Sequence, residues 1–412
     1  MRVLFVISTD FPYAGSCTSL LNNLLNTELF LASDHQFSVL SLGCATIDQT
    51  VERLNNIDIY RTYLRSQISI RECKKKFFQK PWKVFHIILT KVYTKIYRGI
   101  LNKAINAAEV KEIVQKLHEI EVEQYDVIVP IFGNLPIAAA ALEIKTKYPK
   151  KKVVIYQVDP CSSNEEYPAS MRKELAALEE ELFVASDRII TTAILFQEAQ
   201  KKYSNEIRNK MIAMEFPNVV PKSADRRPDT NAIKKCLFTG CIYGNIRDPE
   251  YTFRLFHLLD SEICLELIGA ISSEAKTKCE EYEIVAHGPK TLMETRSEIE
   301  KAHILVNIGN SMLNQVPSKL FEYISYGKPI VNICKNRNCP TIAYLEHYPY
   351  ALSLFEEDYL LEEQRTKLIS FINDNYNKEI PFEIIRNEYE SSTPEYCAKQ
   401  MMGIFDELKD CL

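Results

Sequence analysis

Ser318, Lys319 and Glu322 fall within five residues at the start of a short amphipathic run, and the chain's most readable chemistry is here. The surrounding string is Asn314-Gln315-Val316-Pro317-Ser318-Lys319-Leu320-Phe321-Glu322-Tyr323-Ile324-Ser325-Tyr326-Gly327, followed by the apolar stretch Lys328-Pro329-Ile330-Val331. A helix beginning at Ser318 would present unpaired N–H groups at Ser318, Lys319 and Leu320, with the partial positive charge of a helix N-terminus, and so suits a phosphate. Lys319 adds a full cation. Glu322 lies about one turn further on, where a carboxylate can accept hydrogen bonds from a ribose diol. Together they read as a site for a nucleoside diphosphate. The same residues would equally suit a solvent-facing helix with two ordinary surface charges.

Three other places carry candidate groups. Gly240 ends an apolar run in Leu237-Phe238-Thr239-Gly240-Cys241-Ile242-Tyr243-Gly244-Asn245-Ile246-Arg247, and the Arg247 fork is suited to phosphate. The alternative partner for Arg247 is its neighbour Asp248. His287 and Gly288 close the short run Ile284-Val285-Ala286, where the histidine serves equally well in a turn. Towards the N-terminus, Gly15 follows the first apolar run and Asp159 ends the run Val153–Val158. A carboxylate at the end of a buried strand can orient a hydroxyl or take its proton, and an Asp-Pro pair can also simply cap a turn.

The elements that must position these groups alternate in type. Strand-like runs are expected at Arg2–Ser8, Phe37–Leu42, Val127–Ile131, Val153–Val158, Arg188–Thr192 and Met211–Phe216, with helical patterns at Leu135–Tyr148 and Met171–Ala185. Three prolines and several charges between Pro217 and Asp229 break the pattern. It restarts with strands at Lys235–Thr239, Cys264–Ile268, Ile284–Ala286, Ile304–Asn307 and Pro329–Ile333. Helices are expected between them at Tyr251–Leu259, Ser272–Tyr282, Leu292–Lys301 and Ser318–Tyr326, and a last helix near Pro394–Leu408. The expected fold class is therefore α/β, with two Rossmann-like doubly wound domains facing a cleft. The domains are placed at 1–220 and 235–390, joined by a linker at 221–234, and 391–412 is a C-terminal helix free to return to the first domain.

Composition narrows the function classes. The chain has 412 residues, 46% apolar and 25% charged, enough for two ordinary cores. A net charge of −5 argues against a dedicated nucleic-acid binder. The opening Met1–Ile7 is too short for an export signal and no apolar run reaches about 18 residues, so a cytoplasmic location is expected. Twelve scattered cysteines, none in a Cys-x-x-Cys pair, read as reduced thiols packed as small apolar residues rather than metal ligands. No Gly-x-Gly-x-x-Gly follows a strand, which disfavours a dehydrogenase.

At 314–331 the chain resembles the nucleotide-binding helix of retaining GT4-type glycosyltransferases of the GT-B fold, including the Pro-Ser-Lys-x-x-Glu-Tyr variant of polysaccharide-assembly members. In that family two glutamates separated by seven residues flank the loop. Glu322 matches the second, which meets the donor ribose, and Asn314 stands in place of the first, which contacts the donor sugar. The segment 237–247 is similar to the family's donor-domain loop, with Cys241 replacing one of two basic residues and Arg247 keeping the other. Lys319 is expected to make up the missing charge. The segment 284–290 resembles the turn against the nucleotide base, and Phe11–Ser16 the family's loop near donor phosphate and acceptor, with Ser16 where a second glycine is usual.

The resemblance implies a glycosyltransferase that moves a sugar, with retention, from a nucleoside diphosphate sugar to a hydroxyl of a glycan or lipid-linked acceptor in cell-surface polysaccharide assembly. No cofactor and no metal are expected, because Arg247 and Lys319 can hold the diphosphate. Donor contacts fall to Gly15, Gly240, Arg247, His287, Gly288, Asn314, Gln315, Ser318, Lys319, Leu320 and Glu322, and acceptor chemistry to Asp159. Two rivals use the same architecture: a nucleotide-sugar epimerase, and a non-catalytic subunit that binds a partner enzyme.

One feature owes nothing to the family. From Arg71 to Lys103 there are ten lysines and arginines against the single acid Glu72, interleaved with Phe77, Phe78, Trp82, Phe85, Tyr93 and Tyr97. Such a segment, about 70–105, suits anionic lipid headgroups at the inner face of the cell membrane. A solvated helix whose aromatics pack inward would read the same way. Single-stranded nucleic acid has no supporting module here.

Overall fold

In the computed structural model the described residues are 1–13, 15–96, 105–133, 135–164, 167–222, 233–243, 247–358 and 361–411. Most of the expected linker and the end of the basic segment lie outside them. The chain divides into two compact units: Met1–Pro217 with Pro394–Leu412, and Asn218–Thr393.

The first unit is built on eight strands: β1 (Arg2–Ile7), β2 (Gln36–Ser41), β3 (Thr50–Leu54), β4 (Ile57–Arg61), β5 (Val127–Phe132), β6 (Lys152–Gln157), β7 (Arg188–Thr191) and β8 (Met211–Ala213). Their order is β3-β4-β2-β1-β5-β6-β7-β8, and every pairing is parallel except β3 with β4. The central strands are buried on both faces, as their unbroken apolar runs require. Only β3 and β4 were not expected. Their alternating Thr-Val-Glu-Arg-Leu and Ile-Asp-Ile-Tyr-Arg carry too much charge to read as core, because this hairpin closes an edge of the sheet. Asn55 and Asn56, both with positive φ, make the two-residue turn.

The second unit has β9 (Lys234–Thr239), β10 (Ile263–Ile268), β11 (Val285–Ala286), β12 (Ile304–Ile308), β13 (Ile330–Cys334) and β14 (Ala351–Phe355), in the order β11-β10-β9-β12-β13-β14 and all parallel. The expected strands are all present within a residue or two, and β14 is additional. Helix Leu292–Lys301 starts with a capping box, Thr291 and Glu294 each satisfying the other's backbone N–H.

The C-terminal helix Pro394–Lys409 belongs to the first unit. It buries Cys397, Ala398, Met401, Ile404, Phe405 and Leu408, and Phe405 meets the rings of Phe5 and Phe37 at 6.2 and 6.1 Å. All twelve cysteines are free thiols, and only Cys241 and Cys411 are exposed. No described helix is long and apolar enough to cross a membrane.

Candidate functional site

In the second unit the chain starts at the middle of the sheet. From β9 it moves to β10 and β11 on one side, then crosses to β12, β13 and β14 on the other. The carboxyl ends of β9 and β12 therefore flank a topological switch point, where open α/β sheets bind ligands. Thr239-Gly240 and Ile308-Gly309-Asn310 emerge there. A Cβ added at Gly269 would lie 1.8 Å from the Gly240 carbonyl oxygen, and Gly269 has φ +141, so the loops after β9 and β10 touch only because glycine stands there.

Arg247 is drawn into this junction. Its Nη1 donates to the Cys241 carbonyl (2.8 Å), its Nη2 to Asn310 Oδ1 (2.6 Å), and its guanidinium lies 5.4 Å from the Phe238 ring centre. Nε is buried with no partner. Among the described residues Arg247 makes no ion pair; Asp248, its alternative partner from sequence, instead faces Lys278 at 3.3 Å. Burial pushes the guanidinium pKa down from its ordinary value, but an arginine remains charged. The result is a half-buried cation met by neutral oxygens and a ring face with its Nε unpaired, an arrangement that gains from an anion. Asn310 passes the link onward, donating from Nδ2 to Gln315 Oε1 at 2.9 Å.

Helix Ser318–Ser325 buries Leu320, Phe321, Tyr323 and Ile324. Tyr323 pins it to β9: the hydroxyl accepts from the Thr239 backbone N–H at 2.7 Å and lies 3.0 Å from Thr239 Oγ1. Gly327, at φ +68, ends the helix, and a Cβ there would meet the Ile380 carbonyl at 2.3 Å. On the open side Lys319 Nζ pairs with Glu322 Oε2 at 2.6 Å. Burial pushes the Glu322 carboxyl up, yet Lys319, Lys222 and Arg296 together bring it below the usual carboxylate range. At neutral pH Glu322 is thus an acceptor only, as a ribose diol would need. Asn314 and Gln315 are half-buried in the loop leading to the helix.

The turn at His287 and Gly288 is placed differently. The Gly288 carbonyl accepts from Gly269 N–H at 3.0 Å, joining the third loop to the other two. The His287 ring lies 2.7 Å from Glu266, which pairs with Lys235 at 2.7 Å; Lys235 in turn reaches Glu298 at 2.8 Å. His287 is therefore engaged in a charge cluster across β9, β10 and helix Leu292–Lys301.

Gly15 and Asp159 belong to the first unit. Gly15 has φ +113, and a Cβ there would lie 2.5 Å from Thr9 Cγ2. It opens helix Ser16–Leu25, accepting the Ser19 N–H. Asp159 is half-buried after β6 and packs against the Gly133 backbone, where a Cβ would come within 2.6 Å of Asp159 Oδ2.

Sequence reading missed several groups. Asn310 sits alone between Gly309 and Ser311 and offers no pattern. Tyr323 looks like a core aromatic until its hydroxyl is traced. Near β1, Arg61 forks onto both oxygens of Asp10 (2.9 and 3.0 Å) and reaches Glu52 (2.8 Å), with Tyr13 stacked at 4.5 Å. Glu179 is buried and accepts from Gln157, Ser162, Lys202 and Tyr203. A readable sign existed for Glu179, since it follows Leu175 and precedes Leu182 and Phe183 on one helix face.

No family model and no curated protein matches this sequence. Solved structures do. The apo lipopolysaccharide outer core galactosyltransferase WaaB aligns over 99% of this chain and 100% of its own, at TM-score 0.56 and 12% identity. HepE from Anabaena, in complex with UDP and glucose, aligns over 98% and 99% at TM-score 0.63 and 10% identity. The α,α-trehalose 6-phosphate synthase of Burkholderia multivorans aligns over 100% and 97% at TM-score 0.60 and 12% identity. The chain has the GT-B fold, with two Rossmann-like domains.

Proposed function

We propose that this GT-B chain is a glycosyltransferase that takes a sugar from a nucleoside diphosphate sugar and passes it to an acceptor hydroxyl. The observation that carries the reading is the switch point of the second unit. It gathers an arginine without an ion-pair partner among the described residues, a helix N-terminus beside Lys319, and an ionised Glu322 one turn along. Structures of the same fold hold UDP or a UDP-sugar analogue: HepE is in complex with UDP and glucose, and a trehalose-6-phosphate protein from E. coli is bound with UDP-2-fluoro glucose.

In this reading Arg247 and the first-turn amides of Ser318 and Lys319 hold the diphosphate, with Leu320, whose N–H already donates to the Pro317 carbonyl at 2.9 Å, lining the same entrance. Lys319 exchanges its partner Glu322 for a phosphate oxygen, and Glu322 turns to the ribose hydroxyls. The two cations and the helix dipole stabilise the charge that grows on the diphosphate as the sugar leaves. Gly240 and Gly288 let the backbone approach the nucleotide, with His287 in the turn beside the base. Asn314 and Gln315 approach the donor sugar, Gln315 already tied to Arg247 through Asn310. Gly15 serves the donor phosphate, and Asp159 serves the acceptor side by orienting the hydroxyl. Retention of configuration, a glycan or lipid-linked acceptor, a role in cell-surface polysaccharide assembly and a cytoplasmic location are the finer parts of the proposal.

Calorimetric titration with UDP, GDP, TDP, ADP and CMP tests it. Binding of one nucleotide that is lost in Arg247→Ala and Glu322→Ala is the expected result. Failure of all five to bind would remove the donor site and favour a non-catalytic subunit.

A further inference from the structure

Helix Pro81–Lys95 carries two apolar faces, and among the described residues one is buried and the other largely exposed. Val84 and Ile87 are each 1% exposed and join a small core with Cys44, Ile47, Tyr63, Ile68 and Cys73. The other apolar side chains of the helix stand in solvent: Trp82 at 73% exposure, then Phe85, Ile88, Leu89, Val92 and Tyr93, with Ile96 just beyond. At 100° per residue these seven fall in one arc of about 140°, centred roughly opposite Val84 and Ile87. The preceding turn extends the patch with Phe77 and with Phe78, which is 93% exposed. Burying an apolar face this large is strongly favourable, so exposed patches of this size mark interaction sites.

The charges around the patch identify the occupant. Lys76 and Lys80 are taken by Asp48, and Lys91 donates to the Ser66 carbonyl. Arg71, Lys74, Lys75, Lys83 and Lys95 have no carboxylate partner among the described residues, and the acid of the segment, Glu72, is buried. The exposed arc holds no acid. Aromatic and branched side chains flanked by unpaired cations, on a helix too short and too charged to cross a bilayer, match the chemistry of an anionic membrane interface. A protein partner of ordinary charge would not call for five cations without a carboxylate partner among the described residues between Arg71 and Lys95, two of them, Lys83 and Lys95, at the margins of the apolar arc.

We infer that helix Pro81–Lys95 and the turn before it form a docking surface for the interface of an anionic lipid membrane. The apolar arc enters the acyl boundary, Lys83 and Lys95 at its margins meet the headgroups, and Arg71, Lys74 and Lys75 of the preceding helix add to the attraction. No residue of this surface belongs to the nucleotide site, so the inference stands or falls apart from the donor reading.

The test is co-sedimentation of the full chain with phosphatidylcholine vesicles and with vesicles containing about one-third phosphatidylglycerol. Binding to the anionic vesicles should exceed that to the neutral ones by at least about tenfold and weaken with salt. The variant Trp82→Ser/Phe85→Ser/Leu89→Ser should lose that binding while keeping its unfolding midpoint, since these side chains are exposed. Lys74→Glu/Lys75→Glu/Lys83→Glu/Lys95→Glu should lose the preference for anionic lipid. Equal sedimentation of wild type and triple variant would overturn the inference, as would no binding to either vesicle. So would a wild-type dimer in analytical ultracentrifugation that the triple variant dissolves while neither form binds vesicles. Glu322→Ala serves as the control and should bind vesicles like wild type.

Discussion

Helices Ser318–Ser325 and Pro81–Lys95 are made of similar ingredients, one lysine in the first and several in the second beside aromatic and aliphatic residues at helical spacing, yet they end in opposite environments. The first is eight residues long, spends its whole apolar face on the core, and leaves charge only at its entrance. The second is fifteen residues long, spends two residues on the core, and leaves a second apolar arc open. The difference teaches that amphipathicity specifies a face but not what covers it. Where the sheet covers the face, the helix becomes a rigid mount for Lys319 and Glu322. Where no described residue covers it, the face is left for an outside surface, which is what the vesicle experiment tests.

The sharpest way to break this comparison is to truncate one aromatic on each helix. Phe321→Ala should cost about 3–5 kcal/mol in urea unfolding of the second unit, because a fully buried ring leaves a cavity. Phe85→Ala should change stability by no more than about 0.5 kcal/mol. Similar costs for both would mean that the second helix is packed after all. A finer cut is Tyr323→Phe, which keeps the ring and removes the hydroxyl that receives the buried Thr239 N–H. The expected loss is about 1–3 kcal/mol in unfolding, with weaker nucleotide binding because the helix is no longer pinned to β9.

Arg247→Lys then separates charge from shape. Lysine keeps the cation but cannot hold Cys241 and Asn310 together, so nucleotide affinity should fall about tenfold, or roughly 1.4 kcal/mol. Unchanged affinity by calorimetry would show that the fork is dispensable. The smallest effect concerns pH. Lys235, Lys301 and Lys290 bring the Glu298 pKa from 4.5 down to about 2, against the opposing push of burial. A depressed carboxylate contributes stability above its unfolded value, and that contribution is lost as pH falls from about 4.5 to about 2. Glu298→Gln should therefore flatten the acid limb of the unfolding midpoint in that window and leave nucleotide binding alone.

Much of this was legible beforehand, for identifiable reasons. The parallel strands announce themselves because burial on both faces demands unbroken apolar runs. The pair Lys319 and Glu322 is readable because both lie on one helix, where spacing alone brings them together. Hairpin β3–β4 was missed because an edge hairpin need not be apolar. Arg247 with Asn310, Asp10 with Arg61, and Tyr323 with Thr239 are separated by 63, 51 and 84 positions, and nothing local foretells such pairs.

By itself the sequence determined two α/β units, the order of nearly all their strands along the chain, and a local cation and carboxylate at one helix entrance. These follow from periodicity and chain neighbourhood, which short-range sterics and burial enforce. Only the tertiary structure decided that Arg247 turns to Asn310 rather than Asp248, that His287 is held by Glu266, and that no described residue covers the apolar arc of helix Pro81–Lys95. Those outcomes depend on which distant groups arrive at the same place, and that is set by how sheets and helices pack.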